Sequence, residues 1–283
     1  MTTLAAQAPG ASRPRTTVRP SSFGRLVAAE WVKFRSLRST WWTLAVGAVL
    51  MIALAVLQTW GTSTIPDDIE FPNLSGAVFV TGGAFLGQLA FCVLGVLAIT
   101  GEYSTGMIRS TFAAAPRRLP VLWAKLVVIF SAVLLVSVLA VALSWVGSMP
   151  WFDELGLAID LGNSDDLRIM LGTPLYLATA TALAFAIGAL VRHSAAGLAI
   201  VLGLLLVVEQ AFALIPWRPL EVISPFLPST AGSRLTMDAA TQQMMDAGSD
   251  VATLTPWQGY GVLVAWVVVL LALAAVLMRR RDA

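Results

Sequence analysis

Six long stretches of apolar residues, separated by polar segments, dominate the chain. They are residues 41–60, 77–100, 121–147, 172–191, 195–215 and 257–278. Crossing about 30 Å of hydrocarbon takes roughly 20 apolar residues in an α-helix, so each stretch can span a membrane. The alternating ten-residue pattern of membrane β-barrel strands is absent from the sequence. The pattern predicts an all-α polytopic membrane protein whose residues 41–283 form a domain of six transmembrane helices.

The residues before the first stretch divide into a tail and a helix. Residues 1–22 are rich in Pro, Thr, Ser, Ala and Arg, and such a composition cannot offset the entropy of ordering, so we expect a disordered cytoplasmic tail. In residues 23–40 the apolar side chains recur at helical spacing, while Arg25, Lys33 and Arg35 fall outside their arc. This second segment therefore predicts an amphipathic helix in the membrane interface.

Glu30 stands out because, at about 100° per residue, it falls inside the apolar arc of this helix. One interpretation places its carboxylate at headgroup depth or pairs it with Lys33 or Arg35. The other pairs it with the polar segment at residues 101–125, where Arg109, Arg117 and Arg118 are the expected partners.

Composition and charge agree with a membrane protein and give its orientation. Hydrophobic residues make up 58% of the chain and charged residues 12%, which leaves more apolar surface than a soluble globule of this length buries. Of the 18 Lys and Arg residues, 15 fall on the side of the chain termini. The positive-inside rule then predicts cytoplasmic termini for a multi-pass protein of the cell membrane. The lone Cys92 supports neither an intrachain disulfide nor a metal site.

The conspicuous polar segment is residues 101–125. Ser104 and Thr105 can cap a short helix, Pro116 ends it, and Arg117 and Arg118 form a basic corner before the third span. An ordinary positive-inside loop is the alternative interpretation. The absence of a flexible Gly/Ser run favours a rigid helix held at the cytoplasmic surface.

These residues resemble permease subunits of the type-2 exporter class of ATP-binding-cassette transporters. The resemblance rests on AEWVKFRS at 29–36 and on a pattern between the second and third spans formed by Glu102, Gly106, Arg109, Pro116, Arg117 or Arg118, and Lys125.

The resemblance implies that residues 23–40 are a connecting helix, with Glu30 and Lys33 making its contacts. It implies that residues 105–115 are a coupling helix docked on a separate ATPase, and that two permeases, identical or different, assemble with two ATPases. The residues that it assigns to ATPase coupling are Glu102, Thr105, Gly106, Arg109, Phe112, Arg117 and Arg118.

The chain itself is expected to be a permease and not an enzyme. We find no GxxxxGK[ST] phosphate loop in it, so ATP is expected on the partner subunit, with no cofactor, metal or nucleic acid bound by this chain. The alternative is a secondary transporter or channel without an ATPase, which would need ionisable residues at mid-membrane.

Polar residues inside the spans supply the remaining candidates. Gln88 and Glu209 are possible pathway residues, because a carboxylate within a span usually faces the bundle interior or a wet cavity. A purely structural hydrogen-bonding role is the other interpretation of both. Gly83 and Gly87 form a GxxxG pair, which permits close helix approach either within the chain or at a dimer seam.

Overall fold

The computed structural model describes residues 22–65, 75–107, 118–247 and 253–280. These residues form helices and connecting turns, with no strand among them. Six helices are long and apolar enough to cross a membrane, and we number them spans 1 to 6: Arg38–Ser63, Gly76–Ser104, Leu119–Trp151, Ser164–Val191, Ser194–Leu214 and Pro256–Arg280. Each overlaps one of the six predicted stretches. The predicted six-helix, all-α membrane architecture is therefore confirmed.

A separate N-terminal helix, Phe23–Ser36, precedes span 1. It ends because Leu37 adopts an extended conformation (φ −86°, ψ 115°), and span 1 begins at the next residue, Arg38. The chain thus bends at Leu37, whereas the sequence predicted one helix as far as residue 40. Glu30 and Phe34 are the buried residues of this helix, which packs against the beginning of span 3. Its position in a membrane interface stays a prediction.

Span 4 is the central helix of the bundle. In its most apolar window 83% of the residues are buried, compared with 22–56% in the other spans. Close packing against span 2 depends on Gly95, where a Cβ atom would lie 2.5 Å from the carbonyl oxygen of Thr181. Gly83 and Gly87 face span 1 of the same chain, and a Cβ atom on either would overlap Met51. The GxxxG pair therefore serves packing within the chain.

Span 4 begins eight residues before the predicted stretch at residue 172. The Asn163 side chain accepts a hydrogen bond from the backbone N–H of Asp165 (2.9 Å) and so caps the helix. Asp165 and Asp166 lie in the first turn, where negative charge suits the positive end of the helix dipole. The prediction missed this first turn because it counted only apolar residues.

The bundle has two ends, which we name for the segments they carry. The N-terminal-helix end bears the Phe23–Ser36 helix. The loop end bears the long connection between spans 5 and 6, with short helices at Arg218–Ile223, Pro228–Ser233 and Ala239–Ala247. The buried Arg234 holds this connection together, because its Nη2 lies 2.7 Å from Asp246 Oδ1 and its Nη1 donates to the Leu254 carbonyl at 2.8 Å.

Candidate functional site

Four charged side chains meet at the N-terminal-helix end and form what we call the charge cluster: Glu30, Lys33, Glu102 and Lys125. Lys125 Nζ lies 2.6 Å from Glu30 Oε2 and 2.8 Å from Glu102 Oε1. Lys33 Nζ lies 2.9 Å from Glu30 Oε1 and 3.2 Å from Glu102 Oε1. Each ammonium group therefore contacts both carboxylates, and the four formal charges balance.

The charge cluster joins three helices. Glu30 and Lys33 are three residues apart on the N-terminal helix, so they share one face of it. Glu102 lies in the last turn of span 2, and Lys125 lies in the second turn of span 3. The two spans that flank residues 105–118 are thus tied to each other and to the N-terminal helix at the base of that segment.

Burial makes the pairing energetically important. Glu30 is 5% exposed, Glu102 4% and Lys125 7%, whereas the side chain of Lys33 is 34% exposed. Buried charges are costly unless they are paired and hydrogen-bonded, and removing one partner leaves the others uncompensated. Lys125 is therefore the central member, because it is the buried cation between two buried carboxylates.

Electrostatics keep the two cluster residues of the N-terminal helix charged at neutral pH. Burial by itself raises the pKa of Glu30, but the nearby ammonium groups of Lys125 and Lys33 outweigh burial and hold that pKa below its ordinary value. Burial likewise lowers the pKa of Lys33, and its hydrogen bonds and charge interactions with Glu30 and Glu102 raise that pKa above its ordinary value.

The partners of Glu30 differ from those favoured by sequence. We expected Arg109, Arg117 or Arg118, but Glu30 bonds Lys125 and its helical neighbour Lys33. Arg109 and Arg117 lie outside the described residues, as does the side chain of Arg118. The local pairing with Lys33 was one of the interpretations left open, and Lys125 is the last residue of the 101–125 segment named in the other, although the arginines of that segment were the expected partners.

The location of Glu102 also needs correction. As a coupling residue Glu102 was expected at the inner surface and outside the bundle, but its side chain is buried in the bundle and Oε1 accepts hydrogen bonds from Lys125 and Lys33. Its second oxygen, Oε2, is buried and accepts no hydrogen bond within the described part of the chain. Glu102 is thus a structural member of the charge cluster, whatever its part in coupling.

The other coupling candidates are only partly described. The hydroxyls of Ser104 and Thr105 donate to the carbonyl of Gly101 at 3.0 and 2.8 Å, at the end of span 2, and their capping of a following helix stays a prediction. Gly106 has φ +73°, a left-handed conformation that glycine adopts without strain, and the chain turns there. Phe112 and most of the predicted coupling helix at 105–115 lie outside the described residues.

A second connection at the same end was missed by sequence. The guanidinium of Arg192, in the turn between spans 4 and 5, lies 5.3 Å from the ring centroid of Tyr103. The hydroxyl of Ser194, the first residue of span 5, donates to Thr100 Oγ1 at 2.9 Å. The end of span 2 is therefore held to the beginning of span 5. The short gap between the fourth and fifth apolar stretches already predicted a tight turn here, and Arg192 closes it in the left-handed conformation (φ 58°).

The two possible pathway residues converge at the loop end on the helix Pro228–Ser233, which we call the capping helix. The Glu209 carboxylate accepts hydrogen bonds from the backbone N–H groups of Ser229 (2.9 Å) and Thr230 (2.8 Å) and from the Thr230 hydroxyl (3.0 Å). Gln88 Nε2 donates to Ser229 Oγ at 3.1 Å, and its Oε1 accepts from Tyr176 at 2.8 Å.

Both side chains are buried in this chain, Gln88 at 1% and Glu209 at 5% exposure. Their hydrogen bonds fasten the capping helix to spans 2, 4 and 5. This is what a purely structural role for Gln88 and Glu209 predicts. Tyr176 and Ser229 were not singled out by sequence, since a hydroxyl in a span or a proline-rich loop carries no positional signal. Lining of a transport pathway stays a prediction.

Replacement of Glu209 by Gln is expected to loosen the capping helix. The amide offers one oxygen, so its NH₂ group must face an N–H donor of Ser229 or Thr230, which costs about 1–3 kcal/mol. Thermal unfolding in detergent measures this loss. Gln210→Ala is the matched control, because Gln210 is the exposed neighbour. Equal stability of the two variants would contradict the fastening role.

Comparison with known proteins places these residues in a family context. A family model described as ABC-2 family transporter protein matches residues 52–276. The match includes Gln88, Glu102, Lys125 and Glu209 and begins after the N-terminal helix. No curated protein matches the chain.

Proposed function

Since the chain belongs to the ABC-2 family of transporter proteins, we propose that it is the permease subunit of an ATP-driven exporter and docks a separate ATPase through residues 101–120. The family supplies the coarser statement, that the chain is a multi-pass membrane component of a transport system. The docking segment, with Arg109, Phe112, Arg117 and Arg118, is our assignment.

The charge cluster is the observation that supports this assignment. A force applied to residues 105–118 reaches the bundle through the end of span 2 and the beginning of span 3. These two ends and the N-terminal helix are held together by Lys125, with Nζ–Oε distances of 2.6 and 2.8 Å to Glu30 and Glu102. The cluster therefore makes one rigid base beneath the docking segment. A rigid base is needed if movement of that segment by the ATPase is to be transmitted to the spans.

The rest of the assembly follows from the same proposal. The ATPase lies on the N-terminal-helix side, which the positive-inside rule makes cytoplasmic, and ATP binds to that partner and not to this chain. Two permeases, identical or different, enclose the pathway in the cell membrane. The secondary-transporter alternative depended on Glu209 as an ion-coupling group, and its carboxylate instead bonds the capping helix.

Co-purification tests the docking segment. The permease is expressed with candidate ATP-binding-cassette ATPases of its source organism, and the captured ATPase is measured for equal amounts of permease. Arg117→Ala/Arg118→Ala is expected to reduce capture, because the basic corner contacts the partner. Arg279→Ala/Arg280→Ala is the control, since these exposed arginines end span 6 on the same side of the bundle. Equal capture by the two double variants would refute docking at this segment.

A further inference from the structure

A groove at the loop end lies apart from both the charge cluster and the capping helix. It runs between the first turns of spans 4 and 6 and has a volume of about 520 Å³. Its wall on span 4 extends from Ser164 to Leu175, a length of about 16 Å at ~1.5 Å per residue. That length is close to the depth of one leaflet, half of the ~30 Å hydrocarbon core.

The groove is apolar along its length and polar at its mouth. Leu171 and Leu175 line it farther along span 4, and Trp257 lines it in the first turn of span 6. Leu171 is 59% exposed and Trp257 60% exposed, so both face the surroundings of the bundle. Trp side chains at the ends of spans usually lie at the level of the lipid headgroups.

Two opposite charges lie at the mouth. Arg168 Nη2 is 3.1 Å from Asp165 Oδ1, and Nη1 donates to the Leu235 carbonyl at 2.9 Å. The Arg168 side chain is 8% exposed and that of Asp165 is 44% exposed. Arg168 Nε makes no hydrogen bond to any described residue, so the guanidinium retains a donor. A guanidinium suits a phosphate, and the exposed carboxylate beside it suits an ammonium group.

We propose that this groove binds one zwitterionic phospholipid from the leaflet at the loop end. One acyl chain lies along Leu171 and Leu175, the phosphate meets Arg168, and the headgroup ammonium meets Asp165. An anionic lipid fits less well, because Asp165 already neutralises Arg168 and repels further negative charge. This site is independent of ATPase docking.

Native mass spectrometry of the purified full-length permease tests the site, with phosphatidylethanolamine and phosphatidylglycerol as probes. Wild type is expected to retain one phosphatidylethanolamine in preference to phosphatidylglycerol. Leu171→Trp fills the groove and abolishes this retention. Leu139→Trp is the control, because Leu139 is equally exposed (62%) on span 3 and away from the groove, and retention there is unchanged.

Asp165→Asn tests headgroup recognition without filling the groove. It leaves Arg168 uncompensated, so the retention ratio is expected to shift toward phosphatidylglycerol by about fivefold, the size of an ion-pair effect at a partly exposed site. An unchanged ratio, or equal retention by the two Trp variants, would overturn the proposal. So would a disulfide formed between two copies of Leu171→Cys in a Cys92→Ala background, which would show that the groove is a protein interface.

Discussion

Replacing Lys125 by Met is expected to lower the free energy of unfolding by about 3–5 kcal/mol, the cost of breaking a buried ion pair by removing one partner. The variant leaves Glu30 and Glu102 buried at 5% and 4% exposure with only the half-exposed Lys33 between them. Unfolding in detergent micelles by steric trapping, which reports a reversible free energy, measures the loss. No other single substitution in the charge cluster should cost as much.

Two further variants separate pairing from simple loss of a side chain. Lys33→Met is expected to cost less than about 1 kcal/mol, because its ammonium is partly solvated. The triple variant Glu30→Gln/Glu102→Gln/Lys125→Met removes the three buried charges together and should recover most of the stability lost in Lys125→Met, since the one cluster charge that remains, on Lys33, is 34% exposed and can be hydrated. A triple variant as unstable as the single one would show that Lys125 acts through packing alone.

The same triple variant is expected to uncouple the two ends of the permease. If the charge cluster makes a rigid base beneath the docking segment, then ATP binding to an assembled complex should change hydrogen exchange both near Glu102 and in residues 215–255. With amides in place of carboxylates the helices can still fold, but the ion pairs that join the N-terminal helix to spans 2 and 3 are lost and the three helices can move relative to one another. The variant should capture the ATPase and retain its ATP hydrolysis, while the ATP-dependent change at 215–255 disappears.

Hydrogen exchange monitored by mass spectrometry, with and without a non-hydrolysable ATP analogue, makes this comparison without a known substrate. Lys33→Met is the matched control, because it keeps the buried Glu30–Lys125–Glu102 arrangement and should respond like wild type. A wild-type response at 215–255 in the triple variant would remove the charge cluster from the coupling route, and docking itself would be unaffected.

The spans were predictable because membrane insertion is a local property of the sequence. Each stretch of about 20 apolar residues satisfies its own backbone hydrogen bonds and needs no knowledge of its neighbours. The count of apolar residues misplaces a helix end that is set by a polar side chain. Span 4, for example, begins where Asn163 caps it, before its apolar stretch starts. The boundary between the N-terminal helix and span 1 is also shifted, because the extended residue is Leu37, whereas the sequence predicted the division after residue 40.

Of the ion pairs in the charge cluster, the sequence indicated the local pair of Glu30 with Lys33 but did not single out the pair of Glu30 with Lys125. Helical periodicity placed Glu30 on a buried face and so indicated a cationic partner. The partner itself is 95 residues away in the chain, and only the packing of the N-terminal helix against span 3 brings the two together. The sequence included Lys125 in the resemblance pattern but assigned it no partner, because an ammonium group at a span end can reach the headgroups.

A π-helical turn in span 5 sets the direction in which its buried carboxylate points. The buried residues Gly197, Val201, Leu205 and Glu209 follow one another at intervals of four. In a regular α-helix, at about 100° per residue, Glu209 would be turned about 120° away from the direction of Gly197. Residues Leu204–Val208 instead form a π-helical turn, which contains an additional residue.

This wider turn straightens the line of buried residues, so that the Glu209 carboxylate faces the capping helix. A span shorter by one residue there, and regular throughout, would place the same carboxylate within about 20° of Gly197. The π-helical turn therefore accommodates one inserted residue. It lengthens the span by one residue and keeps the Glu209 carboxylate on the same side of the helix.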